Sequence, residues 1–186
     1  MDMKEISKEL IKVNRDCDAI LVPGGEKVVL IEGTHVRITQ ALGGDFTVNV
    51  NGNLLKISGK DADAIGETIN KESSNTDKFD SNKKISEDDA WDVMKTCYDP
   101  EIPVNIVDLG LIYDLEINHL EKEVRINVKM TLTAPGCGMG PVIAKDVEDK
   151  LMDLPGVTYV LVELVWEPAW NQSMMTEAAK LELGML

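Results

Sequence analysis

The sequence is poor in the residues that build a self-contained metal or redox site. Its 186 residues include three cysteines, Cys17, Cys97 and Cys137, and two histidines, His35 and His119. No Cys-x-x-Cys pair occurs, which excludes a four-cysteine zinc or cluster site built by one chain. An odd number of widely spaced cysteines is also a poor disulfide framework and fits reduced thiols. There is no run of 18 apolar residues, and Met1-Asp2-Met3-Lys4-Glu5 offers no apolar signal core. The expectation is a soluble, cytoplasmic protein with no membrane partner.

What the chain does have is acid, unevenly placed. The formal net charge is -14. Residues 85–186 carry 19 Asp and Glu against 7 Lys and Arg, residues 1–65 carry 10 against 8, and residues 66–84 carry 4 of each. An acidic C-terminal half repels a phosphate backbone, so nucleic acid is not an expected partner, whereas metal cations and basic protein surfaces are. Hydrophobic residues make up 44% of the chain, enough for a packed core. The length suits one domain or two small ones.

Residues 4–14 fit either a short helix or an edge strand. From Ala19 onward short alternating or β-branched runs, 19–22, 27–32, 35–40, 46–50 and 54–57, are separated by Pro23-Gly24-Gly25, Gly33-Thr34, Gly43-Gly44-Asp45 and Asn51-Gly52. Asn51-Gly52 is the strongest hairpin signal, because both residues tolerate the positive φ of a type I′ turn. Residues 1–65 therefore read as a small all-β domain, barrel-like or sandwich-like, with His35 at its surface. Residues 66–84 are polar and rich in Ser, Asn and Lys, which predicts a flexible linker.

Ser86 then caps a helix whose first turn holds Glu87, Asp88 and Asp89. Ala90, Val93, Met94 and Cys97 recur at helical spacing, so Cys97 reads as a packing residue. Asp99-Pro100-Glu101-Ile102-Pro103 stops this helix. A strand over 109–117, a turn holding His119, and a strand over 123–132 follow. After a loop, Val142, Ala144, Val147, Leu151 and Leu154 predict a helix ending at Pro155-Gly156, and 157–165 predict a third strand parallel to the second. The fold class is α+β: residues 85–186 form an α-β-β-α-β domain with a small mixed sheet, preceded by the all-β domain.

The loop Thr133-Ala134-Pro135-Gly136-Cys137-Gly138-Met139-Gly140-Pro141 joins a strand to a helix start. Backbone N–H groups and the positive end of the helix dipole there favour the thiolate, the form that binds iron or attacks an electrophile. Three glycines let the backbone approach a ligand closely. The competing reading is an ordinary turn with a packed cysteine.

Asp99-Pro100-Glu101-Ile102-Pro103-Val104-Asn105-Ile106-Val107-Asp108-Leu109-Gly110-Leu111-Ile112-Tyr113, followed by Thr133-Ala134-Pro135-Gly136-Cys137, resembles the domain shared by bacterial PaaD and the eukaryotic cytosolic iron-sulfur targeting adaptor, over about residues 85–167. The whole chain is similar to the SufT family, which adds an N-terminal β extension and an ending like Trp166-Glu167-Pro168-Ala169-Trp170. In much of the wider family proline follows the cysteine. Here Gly138 does, as in the SufT branch. The resemblance implies an auxiliary, non-enzymatic factor for iron-sulfur protein maturation, with Cys137 as the functional cysteine and Asp99, Glu101 and Thr133 as neighbouring motif residues.

Cys137 alone cannot hold a labile cluster, which needs about four ligands. A homodimer, a protein partner or a small thiol must complete the shell. Asp99 and Glu101 could supply oxygen ligands or accept the thiol proton, or only form turn hydrogen bonds. Thr133 is placed to support the loop. A thiol enzyme needs a base near Cys137, and neither histidine is placed to be one. The alternative is a client-binding adaptor that binds no iron itself. In the tail, Ser173 can cap a helix presenting Met174, Ala178 and Leu181 on one face, up to Gly184. With Trp170 and Met175 this surface either covers the domain's own sheet or docks a client or assembly partner.

Overall fold

The computed structural model describes residues 10–68, 84–120 and 123–185. The chain divides into two compact units, Met1–Ser74 and Asn75–Leu186. Most of the expected linker 66–84 lies outside the described residues, as do residues 1–9.

In the first unit the alternating runs form β1 (Ile11–Lys12), β2 (Cys17–Val22), β3 (Lys27–Leu30), β4 (His35–Leu42), β5 (Asp45–Val50) and β6 (Asn53–Ile57). Of residues 4–14, which fit helix or strand by pattern, residues 10–14 are described and include the short edge strand β1. All pairs are antiparallel, in the order β1-β4-β5-β6-β2-β3. Asn51 and Gly52 take φ of 51° and 92°, the two positive values the hairpin requires.

The sheet must curl. β1 and β2 stand four places apart, about 19 Å in a flat sheet, yet only four residues connect them; the same holds for β3 and β4. The two connections also bond to each other, Val13 N–H to the Thr34 carbonyl (2.9 Å), Gly33 N–H to the Val13 carbonyl (2.8 Å) and Glu32 N–H to Asp16 Oδ1 (2.7 Å). The curl encloses Val13, Ala19, Val36, Ile38, Val48, Leu55 and Ile57, and a 3-10 helix, Gly59–Ile65, adds Ala62, Ala64 and Ile65 to that core. Arg15 clamps this helix through Asp61 and a two-pronged contact to Asp63 (2.6 and 2.8 Å), which holds the Asp63 carboxyl below its usual range.

The second unit runs α1 (Glu87–Met94), β7 (Ile112–His119), β8 (Val124–Met130), α2 (Gly140–Met152), β9 (Val157–Leu164) and α3 (Glu177–Glu182). Its α+β order and mixed sheet are those expected: β7 and β8 are antiparallel, β8 and β9 parallel. Ser86 and Asp89 form a reciprocal capping box at the start of α1. The inner face of the sheet, with Ile126, Val128 and Met130 at its centre, is buried, and Cys97 is completely enclosed as a packing residue.

Two expectations change. The buried stripe of α2 is Gly140, Ile143, Val147 and Leu151; Val142 and Ala144 are only partly buried, because Val142, Ile143 and Ala144 are all apolar and it is Ile143, four residues before Val147, that faces the core. The tail helix is α3, capped by Thr176 rather than Ser173. Its buried residue is Ala179, with Met175 buried just before the cap, one residue round from the expected face, and Ala178 and Leu181 are exposed. Gly184 ends it with φ 70°.

Candidate functional site

The first motif folds into a pinned double turn. At its base Ile106 N–H donates to the Cys97 carbonyl (3.0 Å), and Tyr98 bridges Asn105. Asp99 is buried, and its Oδ1 accepts the Glu101 N–H (2.9 Å) while its carbonyl accepts the Ile102 N–H (3.0 Å). This is the turn-forming role of an aspartate before proline. Glu101 stands exposed at the bend. Asn105 organises the second turn: its Oδ1 accepts the N–H groups of Val107 (3.0 Å) and Asp108 (2.9 Å), and its amide donates to Asp108 Oδ2 (2.6 Å).

The second motif is a loop held only at its ends. Leu132 and Met139 are buried, and Cys137 between them is half-buried on a backbone stretch that includes the exposed Pro135 and Gly136. Gly140 lets α2 start directly against Leu132, since a Cβ there would lie 2.6 Å from Leu132 Cδ1. The N–H groups expected to face the thiol are partly spent elsewhere. Gly140 N–H donates to the carbonyl of Cys137 itself (3.1 Å), and Pro141 has none. Thr133 Oγ1 makes no hydrogen bond among the described residues.

The two motifs meet at their bases. Thr131 N–H donates to the Leu111 carbonyl (2.8 Å), continuing the pairing of Ile112 with Met130, so the end of the first motif and the start of the cysteine loop share one ladder. The tail then straps the first motif. Val165 N–H donates to the Met130 carbonyl (2.8 Å), after which the chain crosses to the β7 side: Tyr113 OH donates to the Pro168 carbonyl (2.7 Å), Trp170 Nε1 to the Leu109 carbonyl (2.9 Å), and Thr176 N–H to the Asp108 carbonyl (2.9 Å). At Gly110, with φ 72°, a Cβ would lie 2.3 Å from the Met174 carbonyl oxygen. Trp170 and Met175 are thus committed to the domain's own packing.

Among the described residues, no group of three or more His, Cys, Asp or Glu is placed to hold a metal ion. His119 is exposed at the end of β7 and His35 belongs to the other unit. No helix among the described residues is long and apolar enough to cross a membrane. Asn105, Asp108 and Gly110 lie within the quoted motif, but the sequence alone assigns them no task. The Asn-x-x-Asp spacing of a side-chain-capped turn is the available clue.

The family described as iron-sulfur cluster assembly protein matches residues 87–162. Among curated proteins, the chain is 46% identical over 101 residues to a Porphyromonas gingivalis protein named Fe-S protein maturation auxiliary factor, covering 54% of this chain and 93% of that one. It is 40% identical over 87 residues to the Bacillus subtilis Fe-S protein maturation auxiliary factor YitW, covering 47% of this chain and 82% of that one. Among solved structures, a domain of unknown function, DUF59, from Bacillus anthracis aligns at 35% identity and TM-score 0.49, covering 54% of this chain and 92% of that one.

Proposed function

The chain belongs to the iron-sulfur cluster assembly protein family, and on that premise we propose that it is an auxiliary factor that holds and passes on a labile iron-sulfur cluster, or iron, through Cys137. The cluster is cargo, delivered to apo-proteins of the cytoplasm in concert with the assembly machinery, and the chain performs no catalytic step. The observation that supports this reading most is the junction of the two motifs. A half-buried thiol stands on a loop whose base is hydrogen-bonded to a turn strapped by the tail. Such a thiol can be reached by a partner and can exchange its ligand without unfolding the domain.

One chain contributes one thiolate, and a cluster needs about four ligands. The rest of the shell comes from outside: a second copy, a partner protein or a small thiol. Glu101, exposed beside the pinned turn, is the carboxylate free to act as an oxygen ligand or proton acceptor; Asp99 is engaged in holding that turn. Thr133 stands where the loop leaves the buried Leu132, and with no hydrogen bond from its hydroxyl among the described residues it has no visible bond through which to support that base. The β unit, 1–65, we propose to fold by itself, tethered through 66–84. Limited proteolysis cutting first within 66–84 supports this, and insolubility of residues 85–186 alone overturns it.

Anaerobic reconstitution of the full chain with iron and sulfide tests the central reading. A visible charge-transfer absorption in the wild type, lost in Cys137→Ala, is the expected result. An unchanged band in Cys137→Ala removes this cysteine from the shell. A wild type that takes up no iron leaves the client-binding adaptor.

A further inference from the structure

The three-stranded sheet of the second unit has two outer edges, on β7 and β9, and they are built differently. The solvent-side residues of β7 are Asp114, Glu116 and Asn118, paired across to Lys129, Asn127 and Arg125. Two β7 strands brought together antiparallel around Asp114 and Glu116 set carboxylate against carboxylate, which protects that edge. The β9 sequence, Val157-Thr158-Tyr159-Val160-Leu161-Val162-Glu163-Leu164, carries one charge, and Tyr159 and Leu161 are 48% and 47% exposed. A long apolar edge with unpaired backbone groups is a template for another strand.

The backbone register says which groups face outward. Val165 N–H bonds to the Met130 carbonyl, and from Arg125–Tyr159 onward the β8–β9 register runs without a break. Hydrogen bonding alternates along a strand, so Tyr159, Leu161 and Glu163 bond to β8, while Val160, Val162 and Leu164 turn N–H and C=O to the open edge. Among the described residues nothing pairs with that edge.

We propose that β9 pairs antiparallel with β9 of a second copy of this chain, about a two-fold axis at Leu161, giving one six-stranded sheet. In this register Val160 lies opposite the partner's Val162, sharing backbone hydrogen bonds. On the solvent face Leu161 lies opposite the partner's Leu161 and Tyr159 opposite the partner's Glu163. Apolar meets apolar, and no like charges face each other. The same patch serves both copies, as a closed two-fold interface requires.

The pairing has a consequence for Cys137, although it stands without the cluster reading. Antiparallel β9 strands run the two β8 strands in opposite directions, so the two cysteine loops leave opposite ends of the sheet. Leu164, level with the end of β8, lies opposite the partner's Thr158, six residues or about 20 Å along the strand from the partner's Leu164. The two Cys137 thiolates of this dimer do not share a cluster. The missing ligands come from a protein partner or a small thiol.

Sedimentation of the full chain in reductant, across the micromolar range, tests the pairing. The wild type is expected to be a dimer. Leu161→Lys sets two ammonium groups on the axis and should weaken association roughly tenfold or more. Val162→Pro removes an N–H that faces the edge and none that bonds to β8, and should do the same. Circular dichroism is the check that both variants remain folded. In a Cys137→Ser background, Leu161→Cys, oxidised, should link two chains, because directly opposed Cβ atoms lie about 5 Å apart, where Cys137→Ser alone does not. A wild type monomeric throughout, a dimer that both variants leave unchanged, or an oxidised Leu161→Cys dimer that is intact yet carries no link between its chains overturns the proposal.

Discussion

The turn 99–111 and the loop 133–138 share one hydrogen-bonded base, from Thr131 N–H to the Leu111 carbonyl, yet they are held in opposite ways. In the turn, Asp99 and Asn105 capture three backbone N–H groups, and the tail adds bonds at Asp108 and Leu109 with a backbone seated on Gly110. In the loop, two buried ends carry a half-buried thiol on exposed backbone. The sequence density of the two motifs is similar, but their physical tasks differ. One is a platform whose polar residues satisfy their own backbone; the other presents a group to something outside the chain.

The largest test of this contrast is thiol reactivity. Cys17 and Cys97 are buried, and burial also pushes the Cys17 thiol up. Their alkylation in the native chain needs an opening that costs several kcal/mol, so Cys137 should react about 1,000-fold faster or more, read by mass spectrometry of timed samples. Comparable rates for Cys97 and Cys137 would break the comparison.

Next in size is Gly110→Ala. Its Cβ meets the Met174 carbonyl at 2.3 Å in a positive-φ conformation, so the strap must lift or the turn must shift. A loss of about 2–4 kcal/mol in urea unfolding is expected. No loss would mean that the strap does not seat on the turn. Asn105→Ala leaves two backbone N–H groups without their acceptor and should cost about 1–3 kcal/mol, and Trp170→Phe, which deletes one hydrogen bond to Leu109, about 1 kcal/mol.

The smallest expected change in stability belongs to the residue with the largest expected change in function. Cys137→Ala should unfold within about 0.5 kcal/mol of the wild type, as an exposed-loop substitution does, while losing whatever iron the wild type takes up. A loss of several kcal/mol would make Cys137 a packing residue and erase the distinction between the two motifs.

Much of this is legible in the residues. The alternating runs of the β unit, the Asn51-Gly52 hairpin and the Ser86 cap are short-range patterns, and each appears where its chemistry requires. The α2 stripe comes out misplaced because Val142, Ile143 and Ala144 are all apolar, and the helical period alone does not choose among them. The tail is legible as a cap, a helix and a stop, but not in its phase. Thr176 wins over Ser173 because Asn171 and Ser173 are drawn into a separate 3-10 turn, Gln172–Met174, which sets Met174 beside Gly110.

By itself the sequence determined the elements, their order and the two motifs, since these follow from period, turn chemistry and residue type within a few positions of each other. It determined too that one chain cannot supply four cysteines to a cluster, because it holds three. Only the tertiary structure decided what depends on residues 55–68 positions apart. Those bonds run from Tyr113 to Pro168, Trp170 to Leu109, and Thr176 to Asp108. They make the tail a strap on its own domain, one of the two readings its sequence left open, and they make Gly110 a seat for a carbonyl rather than a simple turn residue. Contacts across that separation form only when the sheet has set its register, and no local pattern encodes them.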